Sequence, residues 1–190
     1  MNRSGPTLLV LLLLSSTGAG AELAKVRFDE HATVGGQRLS LNGIGLRKKM
    51  FFDVYVAGLY LAEPARNGGP ALAANAPKAL VMEFLRDVDR KKLAEAYWDG
   101  FVANNPAKAA QLRPDIERFL ATLSDARKGD RISFTYDPSR GSTITAPNGR
   151  SFMVGGKDFA DLYLGVFLGP NPPTESLKDG LLGQISAAND

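Results

Sequence analysis

The order of apolar and polar positions predicts strands in the first part of the chain. In residues 22–49 polar and apolar residues alternate around Gly35-Gly36, a pattern typical of two short strands joined by a turn. Residues 50–63 are rich in aromatic and β-branched side chains and are followed by a proline, so they predict a long strand with much of both faces buried. Residues 64–77 read as a loop with a short helical turn.

Two helical regions are predicted after a further strand at residues 78–88. Asp89 favours a helix start because Asp is a preferred N-cap residue, and the helix is predicted over residues 90–105. Its apolar residues recur at three- and four-residue spacing, which makes one broad apolar face. These residues are Leu93, Ala94, Tyr97, Trp98 and Phe101. A second helical region is predicted over residues 106–123, with either a kink or a break at Pro114.

The last part of the chain predicts three strands and two helices. The strands are expected at residues 130–138, 141–147 and 150–156, with turns between them, and the helices at residues 158–169 and 174–183. Strands, helices, strands and helices thus follow in blocks, which predicts an α+β fold: an antiparallel sheet with helices packed mainly on one side. Strand-helix-strand alternation is too sparse for a doubly wound parallel sheet.

The N-terminus is typical of a secretory signal peptide. Arg3 supplies a positive charge, residues 8–14 are an apolar run, and Ala19–Ala21 forms a small-residue cleavage signature. The apolar run is shorter than the roughly 20 residues of a spanning helix. We therefore expect a signal peptide over residues 1–21, cleavage after Ala21, and a single mature domain over residues 22–190, without a membrane-spanning segment, in the periplasm or the extracellular space.

Composition removes several functional classes. The chain has no cysteine, which excludes disulfides, thiol catalysis and cysteine metal sites. It has 23 Lys and Arg, one of them Arg3, so 22 remain against 20 acidic residues in the predicted mature chain. The excess of positive charge is therefore only two. The basic residues are interspersed with acidic ones and form no basic stripe with aromatic residues, so we expect no nucleic-acid partner.

Motifs for catalysis, metals or cofactors are weak. His31 is the single histidine, and no Gly-x-Ser-x-Gly turn accompanies it, so a surface histidine is expected rather than a catalytic triad. The acidic residues lack calcium-loop spacing, and their spacing does not favour a glycosidase pair. The glycines at residues 43–45 and 154–157 lack the phosphate-binding pattern and are interpreted as strand bends or turns. No metal and no cofactor are predicted.

Two stretches carry a resemblance to a known family. They are "LNGIGLRKKMFFDVYVAGLYL" at residues 41–61 and "LGPNPPTESLKDGLL" at residues 168–182. Together they resemble the bacterial, secreted branch of the chalcone isomerase-like family, whose plant members have a Gly-x-Gly-x-Arg turn before a strand that ends in an apolar pair, Gly, an apolar residue and Tyr. The resemblance covers nearly the whole predicted mature chain. It implies an open-faced β-sandwich: a large antiparallel sheet with helices on one face, a small sheet on the other, and a ligand between sheet and helices.

Two positions in the first stretch bear on function through this resemblance. Arg47 matches the arginine of the turn, which in true isomerases helps to stabilise the developing phenolate and enolate charge. Tyr55 stands where true isomerases have a threonine that helps to polarise the substrate ketone. The family's non-catalytic fatty-acid-binding members have a tyrosine there, and their arginine and tyrosine together hold the ligand carboxylate. The resemblance therefore implies binding at Arg47 and Tyr55.

Three more positions depart from the catalytic pattern. Lys92 and Asp99 fall about where true isomerases have a tyrosine and an asparagine, and Val166 falls where they have a second, substrate-contacting threonine. No alignment of the helix restores the full catalytic set. The resemblance therefore favours binding over catalysis, and Arg47 is the one candidate catalytic residue if the protein is an enzyme.

The chemistry of these residue types agrees with a bound acid. A guanidinium offers a planar fork of donors that fits a carboxylate, and a phenol on a neighbouring strand adds another donor. We expect the predicted helix face, with Tyr97, Trp98 and Phe101, to form the wall for the ligand tail. A simpler interpretation stays open, in which Arg47 lies in a solvated hairpin tip and the aromatic residues only pack in the core.

The sequence thus predicts a periplasmic, non-catalytic binding protein for a small hydrophobic acid such as a fatty acid, with its head group at Arg47 and Tyr55. One alternative is an intramolecular lyase that closes a flavonoid-like ring, with Arg47 as electrostatic stabiliser. Another is a structural or partner-binding envelope protein with a vestigial cleft. Its protein partners are left open.

Overall fold

The computed structural model describes residues 20–184. Of the predicted signal peptide, residues 1–19 lie outside the described residues, and its cleavage stays a prediction. The strands are β1 (Ala21–Leu23), β2 (Val26–Phe28), β3 (His31–Val34), β4 (Gln37–Lys49), β5 (Phe52–Leu61), β6 (Lys78–Phe84), β7 (Arg131–Asp137), β8 (Gly141–Thr145) and β9 (Ser151–Val154). The helices are α1 (Gly68–Ala73), α2 (Arg90–Asn104), α3 (Pro106–Gln111), α4 (Arg113–Thr122), α5 (Lys157–Leu168) and α6 (Glu175–Leu181).

Seven strands form one antiparallel sheet in the order β3-β4-β5-β6-β7-β8-β9. Each strand therefore pairs with its neighbours in the sequence, although α1 lies between β5 and β6 and three helices lie between β6 and β7. Strands β1 and β2 form a separate two-stranded sheet. The predicted α+β class, with a large antiparallel sheet and a helical layer, is confirmed.

Strand β5 is buried on both faces of the sheet, as its unbroken apolar run predicted. Tyr55, Ala57 and Leu59 belong to the core cluster that the helices share. Val56, on the other face, packs with Phe28 of the small sheet. Because successive side chains of a strand point to opposite faces, β5 separates a helical layer from a small-sheet layer.

Strand β4 continues through the glycine-rich stretch, so the predicted turn at residues 43–45 was wrong, and the irregularity there is a register shift between Leu41 and Gly43. Gly43 and Gly45 pair with Leu59 and Ala57 inside the hairpin of β4 and β5. A Cβ on either glycine would overlap backbone carbonyl oxygens of α6. The glycines are therefore needed where the C-terminal helix lies directly against the backbone of the strand.

Asn42 fixes the same helix to the strand. The register shifts at this residue, which forms a β-bulge. Its side-chain amide donates to the carbonyl oxygens of Ala65, at 3.0 Å, and Leu181, at 2.7 Å. Its own side-chain oxygen accepts from the backbone N–H of Ala65 at 2.8 Å. One side chain thus satisfies three backbone groups from two other segments.

The start of α2 and the boundary between α3 and α4 differ in detail from the prediction. Asp89 does occupy the N-cap position of α2, but its side chain makes no capping bond. Asp125 accepts the hydrogen bond from the backbone N–H of Arg90 instead, at 2.8 Å. Farther along, α3 and α4 meet at Leu112, so the chain has a break before Pro114 rather than a kink.

Candidate ligand-binding site

Arg47 and Tyr55 lie directly opposite each other on β4 and β5. Directly paired residues of antiparallel strands point to the same face, which here is the face covered by helices. The guanidinium carbon of Arg47 lies 5.7 Å from the centre of the Tyr55 ring. The hairpin register therefore brings together the two residues that the sequence singled out.

Both side chains keep donors without a partner. The Nε atom of Arg47 is buried and has no hydrogen-bond partner within residues 20–184. The hydroxyl of Tyr55, a residue only 6% exposed, also forms no hydrogen bond in the described part of the chain. Burial raises the pKa of Tyr55 well above its ordinary value, against a smaller opposite effect of the Arg47 charge. The phenol therefore remains a protonated donor at neutral pH.

Arg47 and Tyr55 both line a cavity of about 390 Å³ between the sheet and α2. This volume is in the range of small-molecule sites. The sheet contributes Arg47, Lys49, Tyr55, Met82 and Phe84. Helix α2 contributes Lys92, Leu93, Glu95, Ala96, Tyr97, Asp99, Gly100 and Ala103. Val166 and Phe167 of α5 and residues 171–173 after it complete the lining.

Two residues predicted for the tail wall do not line this cavity, so that prediction is corrected. Phe101 is fully buried and packs against Phe119 and Phe159, with ring centres 6.3 and 6.4 Å apart. Trp98 is half-buried, and the guanidinium carbon of Arg113 lies 4.8 Å from its ring centre. The reason is helix geometry: the apolar stripe of α2 faces mainly the core, and of its residues Leu93 and Tyr97 also reach the cavity, which otherwise lies along the neighbouring flank of the helix.

Tyr97 lies at the boundary between core and cavity. Its hydroxyl is 2.8 Å from the hydroxyl of Tyr163, so it forms a hydrogen bond inside the core. The Tyr163 ring in turn stacks on Phe134, with ring centres 4.4 Å apart. Burial raises the pKa of both tyrosines, which keeps both phenols neutral. Tyr97 therefore offers the cavity mainly ring surface.

Charged residues line the cavity near α2. Lys49, Lys92, Glu95 and Asp99 are all exposed. Lys92 also forms an ion pair with Asp89 at 2.9 Å, outside the cavity. With Arg47, the lining contains three cations and two carboxylates, so its formal charge is positive by one.

The positions that the resemblance compared with catalytic residues come together in space. Lys92, Asp99 and Val166 lie on two different helices, and all three line the same cavity as Arg47 and Tyr55. The cavity therefore occupies the place between sheet and helices that the resemblance implied. Its lining contains a valine rather than a hydroxyl group at the position of the second threonine.

Sequence reasoning missed two parts of the lining. Phe84 pairs with Tyr55 across β5 and β6, and their ring centres are 5.9 Å apart in an edge-to-face arrangement. The alternation of β6 marked Phe84 and Met82 as one buried face, but only the pairing register shows that they share it with Tyr55. Pro172 and Pro173, which lie between the two predicted C-terminal helices, also line the cavity.

Within residues 20–184 no group of His, Cys, Asp or Glu side chains is arranged to hold a metal ion. No helix in the same range is both long enough and apolar enough to cross a membrane.

Comparison with known proteins gives this fold a family. The sequence model described as chalcone isomerase-like matches residues 20–183. The chain belongs to the chalcone isomerase-like family. The resemblance stated from residues 41–61 and 168–182 is thereby confirmed.

A solved structure supports the same fold. The protein is similar to the fatty-acid binding protein AtFAP1 of Arabidopsis thaliana, with a TM-score of 0.59 and 16% sequence identity over 86% of this chain and 95% of that one. At this identity the similarity establishes the chalcone isomerase-like fold, which the sequence predicted. No curated protein matches the sequence.

Proposed function

We propose that this member of the chalcone isomerase-like family is a non-catalytic binding protein for a small hydrophobic acid, such as a fatty acid, whose carboxylate is held by Arg47 and Tyr55. The observation that carries the proposal is that Arg47 and Tyr55 lie opposite each other in the lining of one cavity. Neither the Nε of Arg47 nor the hydroxyl of Tyr55 has a hydrogen-bond partner within residues 20–184. A buried donor without an acceptor costs free energy, so an acceptor supplied by a ligand would stabilise this site. A carboxylate fits best because it accepts from both donors and neutralises the guanidinium.

The apolar part of the lining suits the rest of such a ligand. Met82, Phe84, Leu93, Val166 and Phe167 surround the space next to the two donors. Each methylene group moved from water into this space contributes roughly 0.8 kcal/mol, so a short alkyl chain adds substantial affinity after the cost of association is subtracted. An amphipathic acid is therefore favoured over a fully polar one. The fatty acid named for the structural neighbour AtFAP1 belongs to this chemical class.

Ring-closing catalysis is less well supported than binding. The family resemblance assigns two threonines to catalysis in true isomerases, and this chain has Tyr55 and Val166 at those positions. Tyr55 has a raised pKa because of burial, so its phenolate is not available as a base near neutral pH. We therefore propose binding without turnover. We also retain the proposal of a periplasmic or secreted location after cleavage following Ala21.

The test is to identify and then titrate the ligand. Organic extraction of the natively purified protein, followed by mass spectrometry, is expected to release a hydrophobic acid. Isothermal titration of the stripped protein with a series of saturated fatty acids should then show affinity that rises with chain length. Arg47→Gln is expected to weaken binding by about 10- to 100-fold, since hydrogen bonds to charged groups contribute about 1.5–3 kcal/mol.

Arg38→Gln is the matched control, because Arg38 lies exposed on the same strand outside the cavity. It should bind like the unaltered protein. An empty cavity with no measurable affinity for any of the acids, or equal binding by Arg47→Gln, contradicts the proposal. Turnover of a chalcone that is lost in Arg47→Gln would instead establish the lyase.

A further inference from the structure

The tip of the β4–β5 hairpin exposes three consecutive large apolar side chains. We call residues 48–52 the hairpin tip. Met50 is 82% exposed, Phe51 94% and Phe52 57%. In the described part of the chain the other large apolar side chains that are exposed, Val102 and Met153, are single residues in separate elements. Scattered single residues are ordinary on protein surfaces, whereas a contiguous exposed group marks an interaction site.

The backbone conformation at this tip is also one that does not favour stability of the fold. Lys49 pairs with Phe52, which leaves Met50 and Phe51 as a two-residue turn. Met50 has φ 55°, in the left-handed region that glycine and asparagine adopt more easily. Both the exposure of its side chain and the strain of its backbone make methionine an unfavourable residue for stability at position 50. Strain of this kind is found where a surrounding function maintains it.

Basic residues surround the apolar tip. Lys48 and Lys49 precede the three apolar residues, and the guanidinium carbon of Arg86 lies 4.6 Å from the centre of the Phe52 ring. One acid is close, Asp53, whose carboxylate is 3.8 Å from the Lys48 ammonium group. The tip and its surroundings therefore have an excess of positive charge.

The acidic residues beyond Arg86 are already paired. Asp87 forms an ion pair with Arg127 at 3.0 Å, and Asp89 forms one with Lys92 at 2.9 Å. They therefore do not cancel the positive charge of the tip. Exposed aromatic residues with a collar of Lys and Arg suit the boundary of a bilayer, where rings enter the acyl region and cations contact anionic headgroups.

We propose that the hairpin tip docks on a bilayer that contains anionic phospholipids, with Met50, Phe51 and Phe52 in the interfacial region and Lys48, Lys49 and Arg86 against the headgroups. Lys49 lines the ligand cavity as well as belonging to the tip. Docking therefore places one side of the cavity at the membrane surface. Exchange of a hydrophobic acid between bilayer and cavity is the consequence that rests on the proposed function, whereas docking itself does not.

The test is flotation of the protein with vesicles made of phosphatidylcholine and phosphatidylglycerol in equal parts, compared with vesicles of phosphatidylcholine alone. Met50→Gly combined with Phe51→Ser removes the two most exposed side chains and supplies a glycine at the positive φ, so it should fold at least as stably. Its partition into anionic vesicles is expected to fall by at least about tenfold. Met153→Ser, which removes another exposed methionine at 66% exposure, is the matched control and should bind normally.

All variants carry the same N-terminus, so any contribution of residues 1–21 cancels in the comparison. Unchanged flotation of the Met50→Gly, Phe51→Ser variant overturns the proposal, as does equal binding to neutral and anionic vesicles. So does a dimer that the variant abolishes in the absence of vesicle binding, because the tip would then be a contact between two copies. Fatty-acid titration without vesicles separates the two proposals. Arg47→Gln should bind fatty acid weakly and bind vesicles normally. The Met50→Gly, Phe51→Ser variant should bind fatty acid normally and bind vesicles weakly.

Discussion

The hydroxyl oxygens of Tyr97 and Tyr163 lie 2.8 Å apart and join α2 to α5 beside the ligand cavity. Both residues are buried, with Tyr97 6% and Tyr163 0% exposed. We expect Tyr97→Phe to lower the free energy of unfolding by about 1–2 kcal/mol, because it leaves the Tyr163 hydroxyl unpaired. The double variant Tyr97→Phe, Tyr163→Phe should lose less than the sum of the single variants. Urea unfolding of all four proteins measures this coupling, and strictly additive losses would contradict it.

Tyr55→Phe should separate binding from stability. Its hydroxyl has no hydrogen-bond partner in residues 20–184, so we expect the free energy of unfolding to change by less than about 0.5 kcal/mol. Affinity for a fatty acid should nevertheless fall by about 5- to 10-fold, because one donor to the carboxylate is lost. Titration and thermal unfolding of the same preparation give both numbers. A large loss of stability with unchanged affinity would show that the hydroxyl serves the fold instead.

Gly45→Ala should loosen the C-terminal helix. The added methyl group would overlap the carbonyl oxygen of Leu177 in α6, so either the strand or the helix has to move. We expect a loss of about 1–3 kcal/mol in the free energy of unfolding. Gly69→Ala is the matched control, since a Cβ at that exposed position of α1 meets no atom within 4 Å and alanine favours a helix. Equal stabilities of the two variants in urea unfolding would refute this account.

Lys78 gives the stability a dependence on alkaline pH. The residue is 2% exposed, and its ammonium group donates to the carbonyl oxygen of Leu72 at 3.0 Å. Burial and then the charge of Lys157 lower the pKa of Lys78 from 10.5 to about 8, against a smaller opposite effect of Asp161. Between these two pKa values the unfolded chain binds a proton that the folded chain has released. The free energy of unfolding should therefore rise with pH in this window, by less than about 1.4 kcal/mol per pH unit.

The rise should end near pH 10. Burial raises the pKa of Tyr55, Tyr97 and Tyr163, so these phenols ionise first in the unfolded chain and stability falls above that pH. Lys78→Met is expected to remove the rise of stability with pH, because the titrating amine is lost. The Leu72 carbonyl stays hydrogen-bonded in this variant, since Lys157 also donates to it at 2.8 Å. Urea unfolding from pH 7 to pH 11 tests this, and an identical pH profile in Lys78→Met would contradict it.

The sequence predicted the element types well because β5 is an unbroken apolar and aromatic run, and because Leu93, Tyr97 and Phe101 of α2 recur at four-residue spacing. The sequence also identified Arg47 and Tyr55 as candidate binding residues, through the family resemblance. The choice of Trp98 and Phe101 for the cavity failed because the helical apolar period marks the side that packs in the core. The side of α2 that lines the cavity includes Ala96 and Gly100, whose small side chains carry no recognisable signal.

The glycines of β4 show a second limit of prediction from local sequence. Locally, Gly43 and Gly45 suggest a bend, since glycine weakens a strand. Their real constraint is α6, a segment more than 130 positions later in the sequence, and a local pattern contains no information about such a distant neighbour. The same limit applies to the cavity, whose volume depends on how helices lie over the sheet.

The contact between β4 and α6 also sets an order of events during synthesis. The space above Gly43 and Gly45 is filled by residues 177–181, which the ribosome adds more than 130 residues after these glycines. Until they emerge, the growing chain has its glycine backbone uncovered and the Asn42 amide without its Leu181 acceptor. Native packing of this hairpin therefore follows translation of α6, and termination before residue 177 would leave this part of the sheet open to other chains.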